Sequence, residues 1–333
     1  MDEALRSNAM TCSTVRLDSI DWEDRSFEIP YFMPHDRLEA SLRSHGIIHP
    51  PLVWALEGGR YVIVDGFKRL EWARKEGMAE VSCVVCSDGM GRRGIVLRRV
   101  EEKLFGPPLN VAEKARVALL LSGILSIEQI ATDYLPRLGM GSRPEGVKRL
   151  LRLAVSEEAL LQGAASEEVS ERAALELAEW DTADRAVALC ALKTLRCSAS
   201  IQMEILERVS EIALREEASR KAVFELPELA GTLTDPDWNH RQKTQALRDA
   251  LARLRYPRLK AREERFAREM AECSLPGNVR ITPPPAFEGD RWQMSLFFSN
   301  PAELQAVLDQ ARTLALSPRF DGLMSPREKK SKK

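Results

Sequence analysis

The chain reads as an α+β multidomain protein: a small α/β N-terminal domain, an all-helical middle domain and a small ββα C-terminal module. Three observations carry that reading. The apolar run 61–64 ends at Asp65-Gly66 and passes at once into helix-forming residues that stop at Gly77. Beyond Pro107-Pro108 the apolar spacing turns helical and stays so. Near the end, Trp292, Met294 and Leu296 alternate on one face of a short strand, and Ser299-Asn300-Pro301 then opens a helix. The expected boundaries are 12–106 for the α/β domain, 107–226 for the helical domain, 227–272 for a linker and charged helix, 273–324 for the ββα module and 325–333 for a basic disordered tail.

The elements of the first domain follow in order. Residues 38–45 have amphipathic helical spacing and stop at Gly46; Pro50-Pro51 then leads into a strand at 52–55. The strand 61–64 runs into the Asp65-Gly66 turn and a helix that starts with Lys68 and Arg69. Glycine lets backbone approach a ligand there, and the free N–H groups of a first helical turn point at it. The two cations add charge, and arginine adds a forked donor suited to phosphate. An ordinary strand-to-helix turn with a solvated basic start fits the same residues. A strand at 81–85 and a helix at 93–103 follow.

This order resembles the ParB family of DNA-partition proteins, whose ParB/sulfiredoxin-like N-terminal domain is followed by a helix-turn-helix domain. In that family a Gly-Glu-Arg-Arg-x-Arg-Ala box cradles a nucleoside triphosphate, and a Glu-Asn-x-x-Arg box supplies metal and phosphate contacts. Gly66, Arg69 and Gly77 fall where the first box expects them, with Lys68 for its first arginine. Glu102 matches the acid of the second box, and Leu109-Asn110 match the leucine and asparagine that follow. The resemblance thus implies CTP or another nucleoside triphosphate as ligand, at Gly66, Lys68, Arg69, Glu102 and Lys103.

The departures bear on chemistry. Phe67 stands for a glutamate, Glu71 for the last arginine, Lys103 for the metal-associated asparagine and Gly106 for an arginine. An ammonium cannot ligate Mg²⁺, so triphosphate hydrolysis is in doubt, the Mg²⁺ requirement is open, and Lys103 is expected to supply the missing positive charge. No catalytic residue is assigned. The same fold serves sulfiredoxins, whose loop cysteine is replaced here by Phe67. It also serves free-serine kinases with an Asp-Gly-His-His-Arg loop, of which Asp65, Gly66 and Arg69 are shared and neither histidine is. Asp65 reads as a turn acceptor before a general base. A phosphoryl-transfer enzyme acting on a small molecule is the alternative function.

With a net charge of −1, DNA contact must rest on local clusters. No run is apolar enough for a membrane span and no signal peptide is apparent, so a cytoplasmic, nucleoid-associated protein is expected. Six cysteines in a chain this long fit a reducing compartment. Cys83 and Cys86 form a C-x-x-C, but on a strand positions three apart face opposite sides. His35, His45 and His49 show no ligand pattern, and no metal ligands are assigned.

In the middle domain, Asn110 with Glu113 reads as a cap opening a helix to 121, and Ser126 caps another to 135. A connection at 136–142 precedes a helix at 143–153. Ile127, Ile130 and Ala131 share one apolar face, as do Val147, Leu150 and Leu151. The pair resembles a helix-turn-helix with a lengthened connection, and Arg137, Arg143, Lys148, Arg149 and Arg152 are the expected DNA contacts. A helical hairpin with a solvated basic face is the other reading. Helices are expected over 159–225, a linker or hinge at 226–238, and a charged helix over 239–272 that Pro257 breaks. The basic cluster Arg253, Arg255, Arg258, Lys260 and Arg262 is an electrostatic candidate.

The ββα module looks too small to bury its own apolar face. It resembles the dimerisation module of partition proteins, and Trp292, Met294, Leu296, Leu304, Val307 and Leu308 are the expected homodimer contacts, with packing on the chain's own helices as the alternative. The family resemblance also brings a partition ATPase into view as a partner. Plasmid or chromosome partition, or transcriptional regulation, is the expected role.

Overall fold

The computed structural model describes residues 10–29, 36–272, 277–289 and 291–316. His35, Asp290 and the tail at 325–333 lie outside them, as do the side chains of Arg258 and Lys260.

The N-terminal part is a five-stranded mixed sheet in the order β1-β5-β3-β4-β2. Its strands are β1 (Met10–Arg16), β2 (Ile20–Asp21), β3 (Leu52–Ala55), β4 (Tyr61–Asp65) and β5 (Glu80–Cys86). Neighbours β1 and β5 run antiparallel, β5 and β3 parallel, β3 and β4 antiparallel, β4 and β2 parallel. Helices α1 (Asp36–His45), α2 (Phe67–Lys75) and α3 (Gly91–Leu104) accompany it. All three strands expected from the sequence are present; β1 and β2 are additional. Only Val15 of β1 is buried, so the strand has almost no alternation to betray it.

The punctuation residues act as expected. Gly66 caps α2 in the left-handed region at φ 89°, and Gly77 closes it at φ 71°. There the Met78 and Gly77 N–H groups donate to the Ala73 and Arg74 carbonyls in a Schellman pattern.

Helices then follow: α4 (Val111–Ser122), α5 (Ile127–Asp133), α6 (Pro144–Ala154), α7 (Glu158–Ala165), α8 (Glu171–Leu177), α9 (Thr182–Leu195), α10 (Ala199–Arg215), α11 (Arg220–Phe224), α12 (Pro227–Thr234), α13 (His240–Arg255) and α14 (Pro257–Glu272). Asn110 with Glu113, and Ser126 with Gln129, form reciprocal capping boxes on α4 and α5. One continuous buried cluster runs from Val15 through the sheet and helices to Leu251. The chain change at 106/107 therefore separates architectures without dividing the core.

The segment expected to be a linker is a correction. Residues 227–234 form α12, started by Pro227, with Leu229 fully buried against its neighbours. Leu247, Ala250 and Leu251 of α13 enter the same core. Pro227 suits a first helical turn, where its missing N–H costs nothing, so proline there opened a helix instead of breaking one.

At the end, β6 (Val279–Thr282) pairs antiparallel with β7 (Gln293–Leu296), and Asn300 caps α15 (Pro301–Ala315). Trp292 packs 5.6 Å from the Phe266 ring of α14 and 6.1 Å from Phe287. Phe287 sits at φ 57°, a conformation a bulky residue rarely takes, held by burial of its ring and by Arg262 stacked over it. No helix among the described residues is long and apolar enough to cross a membrane.

Candidate functional site

A cleft of about 540 Å³ opens between α1, the 46–50 loop, the sheet and α3. Leu38, Leu42 and Ile48 give it apolar walls; Asp65, Arg69, Arg98 and Glu102 give it charge. The turn at Gly66 lies between two of the lining residues, Asp65 and Arg69. A Cβ there would lie 2.9 Å from both Arg69 Nη2 and Pro51 Cβ, so glycine is required twice, by conformation and by space. With glycine at the N-cap, no side chain caps the α2 N-terminus.

The charges are arranged as pairs. Arg69 Nη2 donates to Asp65 Oδ2 at 3.0 Å, and its Nη1 donates to the His49 carbonyl, which ties the cleft loop to α2. The Asp65 Oδ1 faces Arg99 Nη2 at 3.0 Å, and that arginine is buried under the sheet, its Nε donating to the Phe27 carbonyl. Burial pulls the Arg99 guanidinium below its usual value, opposed chiefly by Asp65. Asp65 is thus the anchor of two guanidinium groups. Its carboxylate faces one of them on each oxygen, where the sequence reading has it accept from the turn's backbone. Glu102 pairs with Arg98 at 2.7 Å, both half exposed at the rim.

The predicted site set splits. Arg69 and Glu102 line the cleft and Gly66 shapes it. Lys68 lies outside the lining and is surrounded by Glu28, Glu71 and Glu113; desolvation lowers its pKa. Lys103 also lies outside the lining. Its Nζ bonds Glu113 Oε1 at 3.0 Å, and Glu113, almost fully buried, also accepts from the Asn110 N–H in the α4 capping box. Lys103 therefore balances a buried carboxylate. Phe67 is buried beneath Arg25, and Glu71 pairs with that same arginine. Arg98 escapes a reading by motif because it falls outside both boxes; its signal is position, one helical turn before Glu102 on the same face of α3.

Both cysteines of the C-x-x-C are fully buried free thiols. Burial pushes the Cys83 thiol up to about 11.

The basic residues of the helical part are paired too. Arg137 makes a bidentate pair with Glu101 of α3 at 2.6 Å on both arms, and that pairing holds the Glu101 carboxyl below its usual value. Arg149 meets Glu176 at 3.5 Å, Arg152 meets Glu179, and Lys148 meets Glu145 at 3.5 Å. Arg143, at the N-cap of α6, is exposed. In the ββα module, Val307 is buried and the half-buried Trp292 packs on Phe266 of its own chain, the alternative that the sequence leaves open. Leu296 and Leu304 are half buried, while Met294 and Leu308 stay exposed beside Phe297 and Phe298, two further apolar residues.

A mixed sheet with a glycine-started helix at a charged cleft makes a small α/β domain. Residues 31–92 match the family described as the ParB N-terminal domain. A curated relative, the probable chromosome-partitioning protein ParB of Vibrio cholerae, is 29% identical over 125 residues, which make 35% of this chain and 42% of that protein. The chain thus spans about two fifths of that relative's length. Among solved structures, the Caulobacter crescentus ParB complexed with CTP-γ-S is 21% identical, covering 50% of this chain and 92% of that one with a TM-score of 0.25. The same organism's ParB bound to the centromeric parS site is 18% identical, covering 57% and 96%, with a TM-score of 0.31. A pNOB8-like ParB N-domain is 17% identical, covering 73% and 97%, with a TM-score of 0.33. Such loose superpositions carry no argument by themselves. The resemblance to the ParB family rests on the sequence match and is borne out: this chain carries a ParB N-terminal domain.

Proposed function

We propose that this is a ParB-like DNA-binding protein of chromosome partition whose N-terminal cleft binds a nucleoside triphosphate, CTP by family resemblance, and thereby sets how the helical part engages DNA. The observation that carries the reading is helix α3. Its last two turns place Arg98 and Glu102 in the cleft and, between them, Glu101 on Arg137 in the connection before α6. A ligand that moves the cleft face of α3 acts on that pair.

DNA contact is assigned to α6 and its approach, with α5 and α6 as the helix-turn-helix. Arg143 and Lys148 face solvent, and the exposed pairs of Arg149 and Arg152 are weak enough to be exchanged for phosphates. Homodimerisation is assigned to the exposed side of the ββα module around Met294, Phe297, Phe298 and Leu308.

The test is anisotropy of a labelled duplex titrated with the full chain, with CTP, ATP or no nucleotide, beside an Arg69→Ala control. CTP alone is expected to change the DNA affinity or its salt dependence, and Arg69→Ala to remove that change. DNA affinity indifferent to every nucleotide would sink the coupling.

A further inference from the structure

In the ParB pattern the second box serves a metal, and the residues present here do not fit one. A hard divalent cation takes oxygen ligands. The carboxylates lining the cleft are Asp65 and Glu102. Asp65 already faces Arg69 and Arg99, each at 3.0 Å, and Glu102 faces Arg98 at 2.7 Å. Lys103, where the pattern has an amide oxygen, offers no lone pair and is bound to Glu113. With the buried Arg99 behind the wall, three guanidinium groups meet two carboxylates, so the carboxylates are matched by cations without any ion.

Arg98 is the most weakly tied member of this set. Its partner is exposed and on the same helix, and such i,i+4 pairs are weak. Its Nε is buried with no hydrogen-bond acceptor among the described residues, so the group has donor capacity beyond Glu102. Arg69, by contrast, is fastened to Asp65 and the His49 carbonyl and offers a fixed positive edge.

We propose that Arg98 is the phosphate clamp of this cleft: it leaves Glu102 for a polyphosphate oxygen and brings there the positive charge that a divalent ion would otherwise supply. The inference rests on the nucleotide reading of the cleft. Phosphate accepts two parallel guanidinium bonds, and an exposed i,i+4 carboxylate pair is weak enough to be exchanged for them.

Glu102 separates the two chemistries by sign. A metal ligand is needed for binding; a competitor for Arg98 opposes it. Calorimetry would follow CTP and inorganic tripolyphosphate binding to the full chain, in EDTA and in Mg²⁺. The wild type is expected to bind in EDTA about as tightly as in Mg²⁺. Glu102→Gln should tighten binding in EDTA about threefold, the size of a surface pair given up. Arg98→Ala should weaken it about tenfold, as removal of one charge-assisted bond to phosphate implies. Both side chains are exposed enough for the variants to fold, which thermal unfolding checks. Binding that needs Mg²⁺ and is abolished in Glu102→Gln overturns the clamp and leaves the nucleotide reading standing. Tripolyphosphate binding in EDTA without CTP selectivity keeps the clamp and removes the nucleotide. No binding of either anion in either buffer overturns both.

Discussion

The cleft and the α6 face both carry arginines already matched with acids, yet the two sets differ in kind. In the cleft, Arg99 is only 4% exposed and meets an Asp65 that also holds Arg69. On α6, Arg152 and Arg149 meet Glu179 and Glu176 across water-exposed ground. A buried charge that loses its partner stays buried, so the first set is structural. An exposed pair gives back to water nearly what it gained, so the second set is available to another anion. The same residue types thus build a frame in one region and a reserve in the other. Arg98 is the exception, an exposed pair set in the cleft.

Asp65→Asn is the strongest test of the frame. It leaves Arg99 without its counter-charge and should cost about 3 kcal/mol or more of stability, read as a lowered urea midpoint. A loss below about 1 kcal/mol would mean that water reaches Arg99 and that the distinction between the regions fails. Gly66→Ala comes next, at about 1–3 kcal/mol, since it forces a side chain into a left-handed turn against Pro51. It should abolish nucleotide binding as well, whereas Lys103→Gln should lower stability through Glu113 with nucleotide affinity kept.

On α6 the expected effects are smaller and differently placed. Glu179→Gln should shift stability by less than about 1 kcal/mol. Its freed Arg152 should strengthen DNA binding and steepen the logarithmic salt slope by roughly one unit. Unchanged salt dependence would take Arg152 out of the interface.

The Glu101–Arg137 link adds a pH test between the two regions. Pairing lowers the folded-state value of Glu101, so its stabilisation is complete above the ordinary glutamate range and fades as pH falls through the lowered value. Cooperative coupling of CTP to DNA binding should weaken over that acid range. Glu101→Gln should reproduce the loss at neutral pH. Smallest of all, Cys12, exposed on β1, should react with a thiol reagent at pH 8 before Cys83, whose thiol is buried and raised to about 11.

Much of the frame is legible in the sequence because it is written in local rules. Gly46, Gly66 and Gly77 end or begin elements where only glycine readily takes a positive φ, and the Asn110–Glu113 and Ser126–Gln129 spacings place two helix starts. Strand β1 is not legible because its place comes from pairing with β5, a strand far along the chain. The 226–238 segment misleads because Pro227, Gly231 and Pro236 read as breakers, while burial of Leu229 against distant helices makes α12.

What the sequence determined by itself, then, is the order of elements, the glycine turn at the cleft and the identity of the ParB N-terminal domain. Only the tertiary structure decided which charges remain free to bind. Lys103 was drawn away by Glu113, Asp65 was claimed by Arg69 and Arg99, Arg137 was joined to Glu101, and Arg98 was brought to the cleft. Helix caps and turns depend on residues a few positions apart, which a sequence displays. Ion pairs depend on distance in space and on burial, which only the packed chain sets.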